Sequence, residues 1–350
     1  MASRDQVPSV SPYANLPSCA YWKTGVEACD PAQPADLYKK KFSIQPTDRI
    51  ATAGSCFAQH IARHMIAHGF SVLDTEPPPP DLPKKIAQDY GYNLYSARFG
   101  NIYTSRQLLQ LAQEATERRA PENWIWEKNG RFYDALRPSV EPHGHQTAEH
   151  VVIHRKSHLK HVRRMLSEVD LFIFTFGLTE TWEHISSETV FPTAPGTIAG
   201  HFDPTIFRFK NLTFSEVMQD FLAFREILRE LRPDVRFLVT VSPVPLTATA
   251  SGNHILPATT YSKSVLRAVA GELHEAFTDV DYFPSYEIIA SHPSKGAFYE
   301  ANMRNVAAEG VNVVMNTFFA EHAPPTDAKS KKTSTADAVC EEALLEAFTK

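Results

Sequence analysis

A serine set between a strand pattern and a helix pattern can attack a carbonyl, and the stretch 48–68 of this chain, DRIATAGSCFAQHIARHMIAH, carries one. Ile50, Thr52 and Ala53 suit a short strand over Arg49 to Ala53, and Phe57, Ile61, Met65 and Ile66 recur at helical spacing. Between them Gly54-Ser55-Cys56 forms an abrupt turn, which puts the Ser55 hydroxyl at the C-terminal end of a strand and the N-terminal end of a helix. Open α/β sheets bind ligands there, and backbone N–H groups at such a place can hold an anion. Ser55 therefore reads either as a nucleophile or as a helix N-cap. Cys56 reads as a rival thiol nucleophile or as a small buried residue. Behind them His60, His64 and His68 repeat at i, i+4, i+8, a metal-ligand spacing. No Asp or Glu lies on that face and no HExxH pattern is present, so a mixed polar helix face is expected and no metal.

The elements that must position Ser55 follow in alternation. Phe70 to Leu73 suits a second strand, Pro77 to Pro80 a polyproline loop, Tyr90 to Tyr103 an irregular aromatic segment, and Ser105 to Glu117 an amphipathic helix. Trp124 to Pro142 reads as a hairpin turning at Asn129-Gly130. A basic helix over Thr147 to Leu166 holds His154, His158 and His161 among lysines and arginines, on what reads as a solvated face. The run Asp170 to Phe176 is apolar beyond its first residue, as for a strand buried on both faces. An insertion with Pro192, Pro195, Gly196, Gly200 and Pro204 follows, then a helix over Phe214 to Leu231, a strand over Val235 to Val241, a helix over Ser262 to Phe277, a strand over Val280 to Phe283 and a last helix over Val306 to Glu321. This alternation predicts a three-layer α/β/α domain with a central parallel sheet. Right-handed crossovers bring the strand ends to one edge, so Ser55, Gly177-Leu178-Thr179-Glu180, Ser242-Pro243-Val244-Pro245 and Pro284-Ser285-Tyr286-Glu287 should share a rim. Residues 1–46 read as an arm packed on the domain of residues 47–323, and 324–350 as a disordered tail.

Composition narrows the function. The chain has 350 residues, 43% hydrophobic and 21% charged, with net charge −5 and a pI near 6.3. Neither a nucleic-acid partner nor a membrane surface is expected from that balance. The N-terminal stretch lacks the apolar core of a signal peptide, no apolar run approaches the roughly 18 residues of a membrane helix, and Cys19, Cys29, Cys56 and Cys340 show no pairing pattern. A reduced, cytoplasmic protein is the expectation. Walker loop, GxGxxG and GxSxG are all missing, and no cofactor is expected.

Several segments carry a resemblance. Gly54-Ser55-Cys56-Phe57-Ala58, GNIYT (Gly100 to Thr104), GLTETW (Gly177 to Trp182), SPVPLTAT (Ser242 to Thr249), TYSKSVLR (Thr260 to Arg267) and YFPSYEI (Tyr282 to Ile288) stand in the order seen in the GSCFA-domain family of bacterial proteins, which is similar to SGNH/GDSL-type hydrolases. That resemblance implies a flavodoxin-like sheet with Ser55 at the nucleophile position. It implies an oxyanion held by the Ser55 N–H, by Gly100 with Asn101 beside it, and by Thr179 or its backbone, where SGNH enzymes use an Asn. Where those enzymes carry Asp-x-x-His, this chain has Asn302 and Asn305, and Asn cannot accept a proton. His254, in the loop after the SPVP turn, and His292, after the PSYE turn, are the candidate replacements, with Glu180 or Glu287 to orient either one. The expected activity is a serine-dependent acyl-ester hydrolase or O-acyltransferase that works through an acyl-Ser55 intermediate. Its partners would be a small-molecule or glycan acyl ester and an acyl donor. The other reading is a catalytically inactive binding protein on the same fold.

Overall fold

The first strand, β1 (Ile50–Gly54), is buried along its whole length, and a computed structural model of the chain, which describes residues 11–324 and 341–348, shows what covers it. After β1 come α1 (Phe57–Ala67), α2 (Lys84–Asp89), α3 (Ser105–Ala115), the pair β2 (Ile125–Lys128) and β3 (Arg131–Asp134), and α4 (Ala148–Glu168). The second half runs β4 (Leu171–Phe176), β5 (Glu180–His184), β6 (Val190–Phe191), β7 (Phe207–Asn211), α5 (Phe214–Leu231), β8 (Arg236–Val241), α6 (Ile255–Ala276), β9 (Val280–Tyr282), α7 (Ser285–Ala290) and α8 (Ala308–Glu321). No described helix is long and apolar enough to cross a membrane.

The central sheet has the order β1-β4-β8-β9, every pair parallel. On the free side of β1, Ile50 makes a single parallel bridge to Val72. Phe70 to Leu73 thus contributes one bridge rather than the full strand expected. Counting that bridge, chain order across the sheet reads 2-1-3-4-5. The direction of winding reverses between β1 and β4, and the crevice above such a reversal is where open α/β sheets hold ligands.

Strand alternation divides the core. Ala51, Ala53, Phe172, Phe174, Phe176, Phe237, Val239 and Val241 face the side covered by α3, α4, α5 and α6. Ile50, Leu171, Ile173 and Leu238 face the side covered by α1, α7 and α8, where Tyr38 and Ile44 from before β1 also insert. Helices on both faces of a parallel sheet make the three-layer α/β/α arrangement that the alternation of elements predicts.

Local chemistry explains most boundaries. Thr104, Thr147 and Thr213 cap α3, α4 and α5 through their side chains, and Thr213 forms a full capping box with Glu216. Asn129 and Gly130 both take positive φ in the tight turn of the β2–β3 hairpin. Three further expectations need correcting. The insertion after β4 is not loop alone: β5, β6 and β7 form an antiparallel sheet of order β6-β5-β7. Helix α6 starts at Ile255, not Ser262, because Pro257 is tolerated in a first turn, where its missing N–H has no intrahelical partner. His158 is fully buried rather than on a solvated face, and its Nδ1 lies 2.7 Å from Glu76 Oε2. The disordered tail expected from residue 324 onward falls largely outside the described residues; within it, Glu341–Phe348 is 3₁₀-helical.

Candidate functional site

Parallel pairing sets Gly54 against Thr175, so the ends of β1 and β4 meet side by side. Gly54 has φ +137°, and a Cβ there would lie 2.5 Å from the Thr175 carbonyl oxygen. Only glycine lets the chain leave β1 at this angle. The turn carries Ser55 next to Gly177, just beyond β4, where a Cβ would stand 3.0 Å from Ser55 Cβ and 3.0 Å from the Tyr103 carbonyl oxygen. Two glycines thus keep the space around the serine clear.

Ser55 is 3% exposed and its Oγ has no hydrogen-bond partner among the described residues. The Thr175 and Thr179 hydroxyls are likewise buried without a described partner. Buried hydroxyls are normally satisfied, so the orphans Ser55 and Thr175 at one pair of strand ends, with Thr179 four residues on from Thr175, mark a place built for something other than packing. The Ser55 N–H donates to Thr175 O at 3.2 Å. The Thr179 N–H donates to Ser262 Oγ at 3.0 Å, which leaves its hydroxyl, not its backbone, uncommitted among the described contacts.

Gly100 and Asn101 reach the same turn from the irregular segment before α3. Ile102 N donates to Gly54 O at 2.9 Å. Tyr95 spans the two pieces, its hydroxyl 3.1 Å from Ser55 O and also bonded to Asn101 Oδ1. Gln59 Nε2, from α1, donates to Asn101 Oδ1 at 3.3 Å. The Asn101 side chain is thereby held with its oxygen toward Tyr95 and Gln59. Ser55, Gly100 and Asn101 therefore come together, and Thr179 follows two residues after the Gly177 that walls Ser55.

The two histidines are engaged elsewhere. His254 is exposed and caps α6, its Nδ1 accepting from Leu256 N at 3.2 Å. His292 is exposed and stacks on Trp22, ring centroids 5.3 Å apart. Glu180 accepts from Thr249 Oγ1 at 2.7 Å, and burial pushes its carboxyl above the ordinary value. Glu287 accepts from Tyr282 Oη at 2.6 Å and from Arg267. Asn302 Oδ1 accepts from the Arg304 and Asn305 backbone N–H groups. Beyond Thr179, Leu178, Glu180, Trp182, Phe209, Leu246 and Leu345 line a partly apolar groove along the rim.

One ionisable residue at this turn escaped the sequence reading. Lys263 is 1% exposed, and its Nζ donates to Gly177 O at 2.7 Å, so it is bonded to the residue that walls Ser55. Lysine is almost never fully buried without a role for its charge. A signal was present: Lys263 leads Leu266, Ala270 and Leu273, all buried, at helical spacing. A lysine in the apolar register of a helix is what marks it.

No curated protein matches the chain. The sequence model of the GSCFA family matches residues 49–318, from the start of the first strand to the last helix, and the chain belongs to that family.

Proposed function

We propose that this protein is a serine-dependent acyl-ester hydrolase or O-acyltransferase. Ser55 would attack the ester carbonyl, form an acyl-enzyme and release the alcohol. Water as acceptor then completes hydrolysis, and a sugar hydroxyl completes transfer. The observation that carries this reading is the unpartnered Ser55 hydroxyl at the sheet's winding reversal, cleared by Gly54 and Gly177 and linked through Tyr95 to Asn101. Asn101 and the Thr179 hydroxyl suit the developing oxyanion, and the resemblance to SGNH/GDSL-type hydrolases supports the same roles. Lys263, buried and bonded to the Gly177 carbonyl beside Ser55, is the group we assign to Ser55 activation, for which its Nζ would have to turn from Gly177 to the hydroxyl in its neutral form. Ser–Lys pairs run this chemistry on other folds. The rim groove beside Leu178 would take the acyl chain.

A second reading, an acyl-ester binding protein without turnover, is favoured by one observation: no imidazole or carboxylate is bonded to Ser55 Oγ among the described residues. Labelling with a fluorophosphonate probe separates the two. Wild type should label and release p-nitrophenol from p-nitrophenyl acetate, Ser55→Ala should do neither, and Lys263→Met should lose at least about 10²-fold in rate. His254→Ala and His292→Ala should stay close to wild type. No labelling of wild type above the Ser55→Ala background would sink the enzyme reading.

A further inference from the structure

Outside the Ser55 turn, three potential metal ligands converge between the loop after β3 and α4. One ligand atom from each of Glu141, His145 and His154 lies within 4.8 Å of the other two. The two imidazoles are tilted against each other with centroids 4.6 Å apart. The three residues come from two supports, the loop after β3 and α4. Glu141 sits in the loop after the β2–β3 hairpin, His145 is bridged to Phe132 by backbone hydrogen bonds of 2.6 and 3.0 Å, and His154 projects from α4. Two neutral imidazoles and one carboxylate are a donor set that suits zinc and its first-row neighbours rather than calcium or magnesium.

We propose that Glu141, His145 and His154 bind one divalent transition-metal ion of the zinc class. Ligand atoms 2.0–2.2 Å from a common ion lie roughly 3.3–3.6 Å apart in a tetrahedral site, so small side-chain rotations close the described spacing. An outer shell is already present. Arg98, 3% exposed, donates to Glu141 Oε1 at 2.6 Å and also to the carbonyls of Tyr90 and Val140, which fixes the carboxylate. Arg98 and Arg137 bring positive charge close by, and Arg137 is offset by its own partner Asp134 at 2.8 Å. The ion would tie the loop holding Glu141 and His145 to α4. Val140 lines the same small cavity as Gly100 and Asn101, so the clamp would also steady the segment that approaches Ser55.

The test is calorimetric titration of chelator-treated full-length protein with Zn²⁺, repeated with Co²⁺ to read visible absorption from imidazole-bound metal. One ion per chain should bind, Tm should rise with metal, and His145→Ala and His154→Ala should each weaken binding by more than about tenfold. His154 is exposed, so its substitution is not expected to disturb folding; circular dichroism of each variant checks this. Because α1 carries its own histidines, His64→Ala serves as the control and should bind as wild type. The proposal is overturned by no saturable binding to wild type. It is equally overturned by binding that survives both substitutions, or that is lost in His64→Ala.

Discussion

The Thr179 hydroxyl is the most economical residue-scale test of the site. It is fully buried and lacks a described partner, while its N–H and C=O are both bonded. Valine has nearly the same shape. If the hydroxyl serves only packing, Thr179→Val should be neutral or slightly stabilising, because an unsatisfied buried group disappears. If it donates to an oxyanion, the same variant should keep its Tm and lose roughly 10²–10³ in kcat. An unchanged rate of p-nitrophenyl acetate hydrolysis would remove Thr179 from the site. The comparison works because stability and rate move independently, which does not hold at Asn101, whose side chain also anchors Tyr95 and Gln59.

At the scale of elements, α1 and the end of α8 carry histidines that make the fold sensitive to acid. His322 is buried against Phe318 and bonded to the Tyr38 hydroxyl at 2.8 Å, and burial, reinforced by the Lys40 charge, lowers its pKa to about 4. His60 on α1 is lowered to about 4 as well, by burial first and then by Arg63. A depressed folded value means that the unfolded chain binds protons first as pH falls. Stability from these groups is complete above the ordinary histidine value of about 6.5 and is lost progressively toward pH 4, at up to about 1.4 kcal/mol per pH unit for each histidine. Urea midpoints should therefore fall between pH 6.5 and 4, with a shallower slope in His322→Gln. An equally steep fall in that variant would mean that His322 is not a source of the effect.

For the molecule as a whole, the residues before β1 matter because they close one face of the sheet. Tyr38 packs edge-on to Phe283 and donates to Asp281 at 2.9 Å, and the Lys41 N–H donates to the same carboxylate at 2.9 Å. Asp281 is fully buried on β9. Removing residues 1–46 would strip those donors from a buried carboxyl group, a cost of about 1–3 kcal/mol for each hydrogen bond left unmade, and would uncover Phe283 and Phe318. The shortened chain should aggregate or unfold well below the full chain in a thermal scan, and Tyr38→Phe should cost about 1–3 kcal/mol. A truncated chain as stable as the full one would mean that the segment contributes nothing to the core.

Short-range signals made much of this legible from sequence. The Gly54-Ser55 turn, the apolar run of β4 and the Asn129-Gly130 hairpin each depend on a few neighbouring residues, so periodicity and turn chemistry identify them. The shared rim follows too, since parallel strands with right-handed crossovers allow little else. What remained hidden depends on partners far apart in the chain. Lys263 finds Gly177 across 86 residues, His158 finds Glu76 across 82, and Tyr38 finds Asp281 across 243. A charged residue reads as solvent-facing until its distant partner is known. The sequence by itself determined that Ser55 stands at a strand end on a parallel α/β sheet. Only the tertiary structure decided which side chains surround it, because burying a charge or a hydroxyl depends on what the other end of the chain brings to meet it.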